Sequence, residues 1–140
     1  MPATRCVFCE ILNGEKETTL VCENHGAIAI IDPRQANPGH VLIIPKEHTP
    51  DIYALSDEAG FATMQCLVRV SRAVKEAFEA EGLSVWQSNG EAAGQEVPHV
   101  HFHILPRKAD DGLLKVYPHR IENTPMETRK AYARKIQAFL

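Results

Sequence analysis

The sequence predicts an α+β fold: a five-stranded antiparallel sheet with one long helix, a short N-terminal helix and a C-terminal helix. Three observations carry that expectation. The chain has 140 residues, 44% of them hydrophobic, which suits one core and one domain. Its short apolar runs follow one another between Gly, Pro and Asn instead of alternating singly with helices. A single long stretch of helical period is inserted among them.

Taken in order, Cys6 to Leu12 reads as a short helix closed by Asn13-Gly14. Thr18 to Cys22 and Ala27 to Ile31 read as a hairpin about the turn residues Asn24-His25-Gly26. Asp32-Pro33 ends the second strand, and a loop through Asn37-Pro38-Gly39 leads to a third, His40 to Ile44, stopped by Pro45. Ser56-Asp57-Glu58 is a helix start with acidic residues in the first turn; Phe61, Met64, Leu67, Val68, Val74 and Phe78 recur at helical spacing until Gly82. Leu83 to Gln87 and Val100 to Leu105 are two further strands, joined by the glycine-containing loop 88–95. Thr124 as cap, Pro125 at the first helical position and Glu127 at the third predict a final helix with Tyr132, Ile136, Phe139 and Leu140 on one face.

Fifteen basic and 18 acidic side chains give a net charge of -3 and a pI near 6.1, so no basic excess points to nucleic acid as a partner. No run approaches the ~18 apolar residues of a membrane span. The start, Met1-Pro2-Ala3-Thr4-Arg5-Cys6, lacks the apolar stretch of a secretory signal, and a cytoplasmic location is expected. In that reducing setting Cys66 and Cys22 read as small buried residues, and Cys6-Val7-Phe8-Cys9 as half of a metal site. Core packing or a redox pair are the other readings of the latter, though a redox motif wants a βαβ context missing here.

Histidine carries the main clue. Three of the seven fall at alternate positions in His99-Val100-His101-Phe102-His103. On a strand the three imidazoles share one face, while Val100, Phe102 and Ile104 project into the core from the other. With ~6.7 Å between same-face neighbours, His99 and His103 stand ~13 Å apart, too far to ligate one metal ion through ~2 Å bonds. The three rings must therefore do at least two different jobs, and three groups titrating near neutrality on one face mark a functional site.

The stretch resembles the signature of the histidine triad family of nucleotide hydrolases and transferases, His-x-His-x-His-x-x with apolar residues at each x, and all seven positions fit. Asn37 through His48 and Asn89 through Gly94-Gln95 resemble the family's other blocks in order and spacing. Cys6-x-x-Cys9 matches its zinc-bearing branch. The resemblance, closest to nucleoside phosphoramidases, spans residues 6 to about 107.

It implies that His101 attacks the α-phosphorus of a purine nucleotide to form a nucleotidyl-histidine that water then cleaves. His103 and His40 would donate to the nonbridging oxygens, with His99 completing the triad. Backbone amides of the loop before His99 would add donors, made accessible by Gly94; Asn89 and Gln95 would shape that loop. Asp32 stands where the family binds the ribose hydroxyls, with Ile30 and Ile31 near the base; read on its own, Asp32 is equally an Asp-Pro turn. Glu96 occupies a position where the family's phosphoramidases commonly carry Ser or Thr, and Pro98 supplies no N–H. A negative Glu96 facing the pocket would disfavour a polyphosphate leaving group and tolerate an amine.

The resemblance further offers His48 and His99 to complete, with Cys6 and Cys9, a structural zinc site whose four ligands leave no position for water, so that no cofactor is needed for the chemistry. It implies a homodimer, and it divides the chain into a catalytic domain, 1–107, and an extension, 108–140, packed on the same domain, with Tyr117-Pro118-His119-Arg120 near a partner's pocket and His119 at the surface. A dinucleoside polyphosphate hydrolase, a metallohydrolase with zinc on the histidine face, and a non-catalytic nucleotide-binding regulatory module remain the alternatives.

Overall fold

The computed structural model describes residues 5–113, 116–117 and 119–140; the Met1 to Thr4 start and Pro118 lie outside the described residues. Three helices and five strands follow in the order α1 (Val7–Leu12), β1 (Leu20–Glu23), β2 (Ala27–Ile31), β3 (Val41–Pro45), α2 (Asp57–Ala77), β4 (Gly82–Trp86), β5 (Phe102–Arg107) and α3 (Met126–Gln137). The sheet order is β1-β2-β3-β5-β4, and every neighbouring pair is antiparallel. This is the predicted fold class.

The central strands are covered on both faces, which explains why β2 and β3 are continuously apolar instead of alternating. On one face Ala27, Ala29, Val41, Ile43 and Ile104 pack against Cys66, Leu67, Val70 and Val74 of α2. On the other, Ile28, Ile30, Leu42 and Ile44 receive Phe8 of α1. At the β1–β2 turn the Asn24 side chain accepts the N–H groups of Gly26 and Ala27 at 2.9 and 2.8 Å, as the turn chemistry predicted.

Several boundaries differ from expectation, each for a local reason. The Ser56 hydroxyl caps α2 by accepting the Ala59 N–H, but the helix ends at Ala77, five residues short of Gly82. Glu79 adopts a left-handed φ of 47° and the Ala80 N–H bonds the Lys75 carbonyl, a Schellman closure without its usual glycine. The apolar residues read at helical spacing on α2 fall into two groups: Leu67 and Val74 face the sheet, whereas Phe61, Met64 and Val68 are exposed. The strand expected from Val100 begins at Phe102; the segment before it leaves the sheet, with the Val100 N–H donating to the Thr49 carbonyl.

The C-terminal extension needs the largest correction. Its start is tied down, since Arg107 holds Asp111 at 2.6 Å and Asp111 accepts from Asn37 and from the Lys108 N–H. The expected packing of the whole extension on the same domain stops there: α3 buries no residue, and Tyr132, Ile136, Phe139 and Leu140 are exposed. Pro125 sits at the cap position instead of the first helical one, and among the described residues no side chain caps the helix; the Thr124 carbonyl accepts from Arg129 Nε. His119 is exposed.

Candidate active site and metal cluster

The segment from His99 to His103 runs from a Cys–His cluster at one end to an open cavity at the other, and hydrogen bonds fix what each ring presents. A backbone carbonyl can only accept, so a ring nitrogen bonded to one carries the proton. His101 Nδ1 lies 2.7 Å from the His99 carbonyl, so Nδ1–H donates and Nε2 keeps its lone pair. The ring edges onto Phe8 of α1 at 5.0 Å between centroids and lies 5.1 Å from the His103 ring. Burial pushes the His101 pKa below its ordinary value, which keeps the ring neutral near pH 7.

His103 faces the same side of the sheet as Leu42 and Trp86, its cross-strand partners on β3 and β4. Trp86 stacks on it almost parallel, with centroids 4.2 Å apart at 2°. Burial, with the nearby His101 and His40 rings adding to it, takes the His103 pKa down to about 4. His40 enters just before β3. Gly39 precedes it at φ 97°, and a Cβ there would meet the Phe78 ring at 2.6 Å, so only glycine admits this turn. His40 Nδ1 donates to the Arg34 carbonyl at 3.2 Å, and its Nε2 stands 3.0 Å from His103 Nδ1. With both rings neutral, His103 Nδ1–H donates to His40 Nε2. The Asp32 carboxylate stands 3.5 Å from His40 Nε2.

His101 and His103 open onto a cavity of about 610 Å³, a size that suits a small ligand. Ile30, Ile31 and Phe8 supply apolar wall, while Asp32, Arg34, Gly94 and Glu96 supply polar wall. Asp32 fits both of its readings, because Oδ1 accepts the Arg34 N–H at 2.8 Å as a turn does while the residue also lines the cavity. Asn89 and Gln95 stand off the wall and brace the loops. Asn89 accepts the Ile52 N–H and exchanges bonds with Gln87; Gln95 spans Gly90, Pro50 and Val97. The N–H groups of Gly94 and Gln95 are spent inside the loop on Glu91 and Gly90 carbonyls. The donors this loop can offer a ligand are therefore the N–H groups of Glu96 and Val97, which bond no backbone carbonyl among the described residues.

His99 belongs to the other end and turns away from the cavity. Its ring is fully buried, and Nε2 donates to the Pro45 carbonyl at 2.8 Å, which leaves the Nδ1 lone pair facing Cys6 Sγ at 3.4 Å, Cys9 Sγ at 3.7 Å and His48 Nδ1 at 3.0 Å. Cys9 Sγ and His48 Nδ1 are 3.3 Å apart. Tetrahedral zinc with ~2.0–2.3 Å bonds separates its ligand atoms by roughly 3.3–3.8 Å; these sulfur contacts fall in that range and the two imidazoles, at 3.0 Å, need part only slightly to take the ion. In its absence, burial first and the adjoining Cys6 next push the Cys9 thiol up to about 11. Four protein ligands close the shell, which argues against a zinc-bound water and against the metallohydrolase alternative.

Three contributors were not singled out in the sequence: Trp86, Phe8 and Arg34. Trp86 is the chain's one tryptophan and lies on a strand expected beside the histidines, a usable signal. Phe8 is masked by its place inside Cys-x-x-Cys. Arg34 gave no local signal, since its role depends on a loop 62 positions away.

A family model described as HIT domain matches residues 13–110. The chain is 35% identical to adenosine 5'-monophosphoramidase hnt1 of Schizosaccharomyces pombe, covering 76% of this chain and 77% of that protein. Among solved structures, a member of the HIT family from Bacillus subtilis superposes with a TM-score of 0.90 at 33% identity, over 98% of each chain. A zinc-bound histidine triad family protein from Mycobacterium smegmatis does so with a TM-score of 0.72 at 32% identity, over 95% of this chain and 96% of that one.

Proposed function

The chain belongs to the HIT domain family, and on that premise we propose that it hydrolyses nucleotides at the α-phosphate of a nucleoside 5'-phosphoramidate or related conjugate, through a covalent nucleotidyl-His101. The observation that carries this reading is the His101 Nδ1–H bond to the His99 carbonyl, which aims a neutral, nucleophilic Nε2 into the cavity. Similarity to a fungal adenosine 5'-monophosphoramidase supports the substrate class.

His101 Nε2 attacks phosphorus and the P–N bond to the amine breaks. The departing nitrogen takes its proton from solvent at the open mouth of the cavity, since the neutral His40–His103 pair has its N–H groups committed to the Arg34 carbonyl and to each other. Water then attacks phosphorus, passes a proton to the bare nitrogen of the neutral His40–His103 pair, which releases it to solvent, and displaces His101, releasing the 5'-monophosphate. The Glu96 and Val97 amides stabilise the charge on the nonbridging oxygens. Asp32 binds the ribose hydroxyls, and Ile30 and Ile31 flank a purine base.

Zinc on Cys6, Cys9, His48 and His99 would hold α1 to the loop after β3 and take no part in the reaction. Residues 1–107 carry the chemistry, 108–140 extend it, and the protein acts in the cytoplasm; among the described residues no helix is long and apolar enough to cross a membrane. A homodimer is part of the reading, supported by the exposed Phe61, Met64 and Val68 on α2 and by β4 being an edge strand. The test is His101→Asn, for which we expect loss of phosphoramidate turnover with AMP binding retained; unchanged turnover would remove His101 from the mechanism.

A further inference from the structure

Arg34 and Glu96 meet at the mouth of the cavity. Arg34 Nη2 lies 2.5 Å from Glu96 Oε2, joining the loop after β2 to the loop before His99. Both side chains are largely exposed, at 81% and 67%, so the pair adds little to stability and can open at small cost. Its position gives it another use. Arg34 is anchored through its backbone, with its carbonyl holding His40 and its N–H on Asp32 Oδ1, while its exposed guanidinium reaches across to Glu96. Glu96 sits close enough to the reacting rings for His101 and His103 to reinforce Arg34 in holding its carboxyl below the usual range.

The charges on the wall decide what such a pair does. Lys16 and Arg34 face Glu17, Asp32 and Glu96, so the basic side chains are outnumbered. The histidines can serve one phosphate. Each further phosphate brings negative charge that needs a cation, and Arg34 can supply it only by leaving Glu96, which then stands unpaired beside the polyphosphate. An amine leaving group, neutral or protonated, leaves the pair intact and gains from the carboxylate.

We propose that the Arg34–Glu96 pair is an ionic clasp that sets the charge of the leaving group, selecting amines over phosphates, and that Arg34 becomes a ligand for the second phosphate once Glu96 loses its charge. This rests on the reading of the cavity as a nucleotide site. It differs from a simple repulsion by Glu96, because it assigns the gained affinity to Arg34.

The experiment titrates the full-length protein calorimetrically with AMP and with ADP, in the wild type, in Glu96→Gln, and in Glu96→Gln combined with Arg34→Ala. The ADP-to-AMP affinity ratio should rise about tenfold in Glu96→Gln, the scale of one charge-assisted contact, and return to the wild-type ratio in the double variant. A ratio unchanged within twofold in Glu96→Gln overturns the clasp while the nucleotide site stands. A rise that survives the double variant overturns the role of Arg34. Failure of the wild type to bind AMP overturns the nucleotide reading itself, and the clasp with it.

Discussion

The two ends of the histidine segment use the same side chain for opposite purposes, and the difference lies in which nitrogen bonds a carbonyl. At His99 the Pro45 carbonyl takes the Nε2 proton and leaves Nδ1 bare toward two sulfurs and a second imidazole. At His101 the His99 carbonyl takes the Nδ1 proton and leaves Nε2 bare toward the cavity. Two residues apart, the chain thus presents one bare ring nitrogen to a Cys–His cluster and one to the cavity. A tautomer is set by the backbone around a ring, so histidine spacing alone cannot assign these roles.

The sharpest way to break this contrast is to remove each ring in turn. His101→Asn should lower kcat by at least about 10³-fold, the scale of losing a covalent nucleophile, and leave the melting temperature near its wild-type value. Cys9→Ala, or extraction of metal by a chelator, should do the reverse. Loss of a structural ion at a cost of about 3 kcal/mol would lower Tm by roughly 10 °C in a domain of this size, while the folded fraction keeps measurable turnover. Calorimetry with a parallel activity assay reads both; a chelator that stops turnover without moving Tm would assign the metal to the chemistry.

Trp86→Ala removes the plane on which His103 stacks and should cost up to about tenfold in kcat/KM, the worth of one aromatic pair; Trp86→Phe should recover part of that. Stability should also depend on pH. His103 titrates near 4 in the folded chain and near its ordinary 6.5 unfolded, so the unfolded state binds more protons between those values. Its contribution to stability is intact above about pH 6.5, falls as the pH drops toward 4, and changes no further below. Denaturant midpoints measured across that window should slope less in His103→Asn than in the wild type.

Much of this was legible in the sequence because it is written in local patterns. The period-two histidines, Cys6-x-x-Cys9, the apolar run of β3 and the Ser56 cap each report on neighbours within a few residues. What was missed depends on distant partners. Helix α2 ends at Ala77 because Glu79, just beyond its cap, accepts a left-handed φ, which its identity does not announce. Strand β5 starts late because Val100 bonds Thr49 instead of a strand. The face of α3 is amphipathic as read, but periodicity says nothing about whether its own chain covers it. Trp86 and Arg34 gain their meaning only when β4 and the loop after β2 come beside the histidines.

The account stands on a phosphorus bond to one nitrogen of one ring. Mixing the wild type with a slowly hydrolysed adenosine phosphoramidate, quenching, and mapping peptides by mass spectrometry should find the nucleotidyl group on the peptide bearing His101, and nowhere in His101→Asn. Undiminished turnover with no adduct on that peptide, or an adduct on another residue, would contradict it.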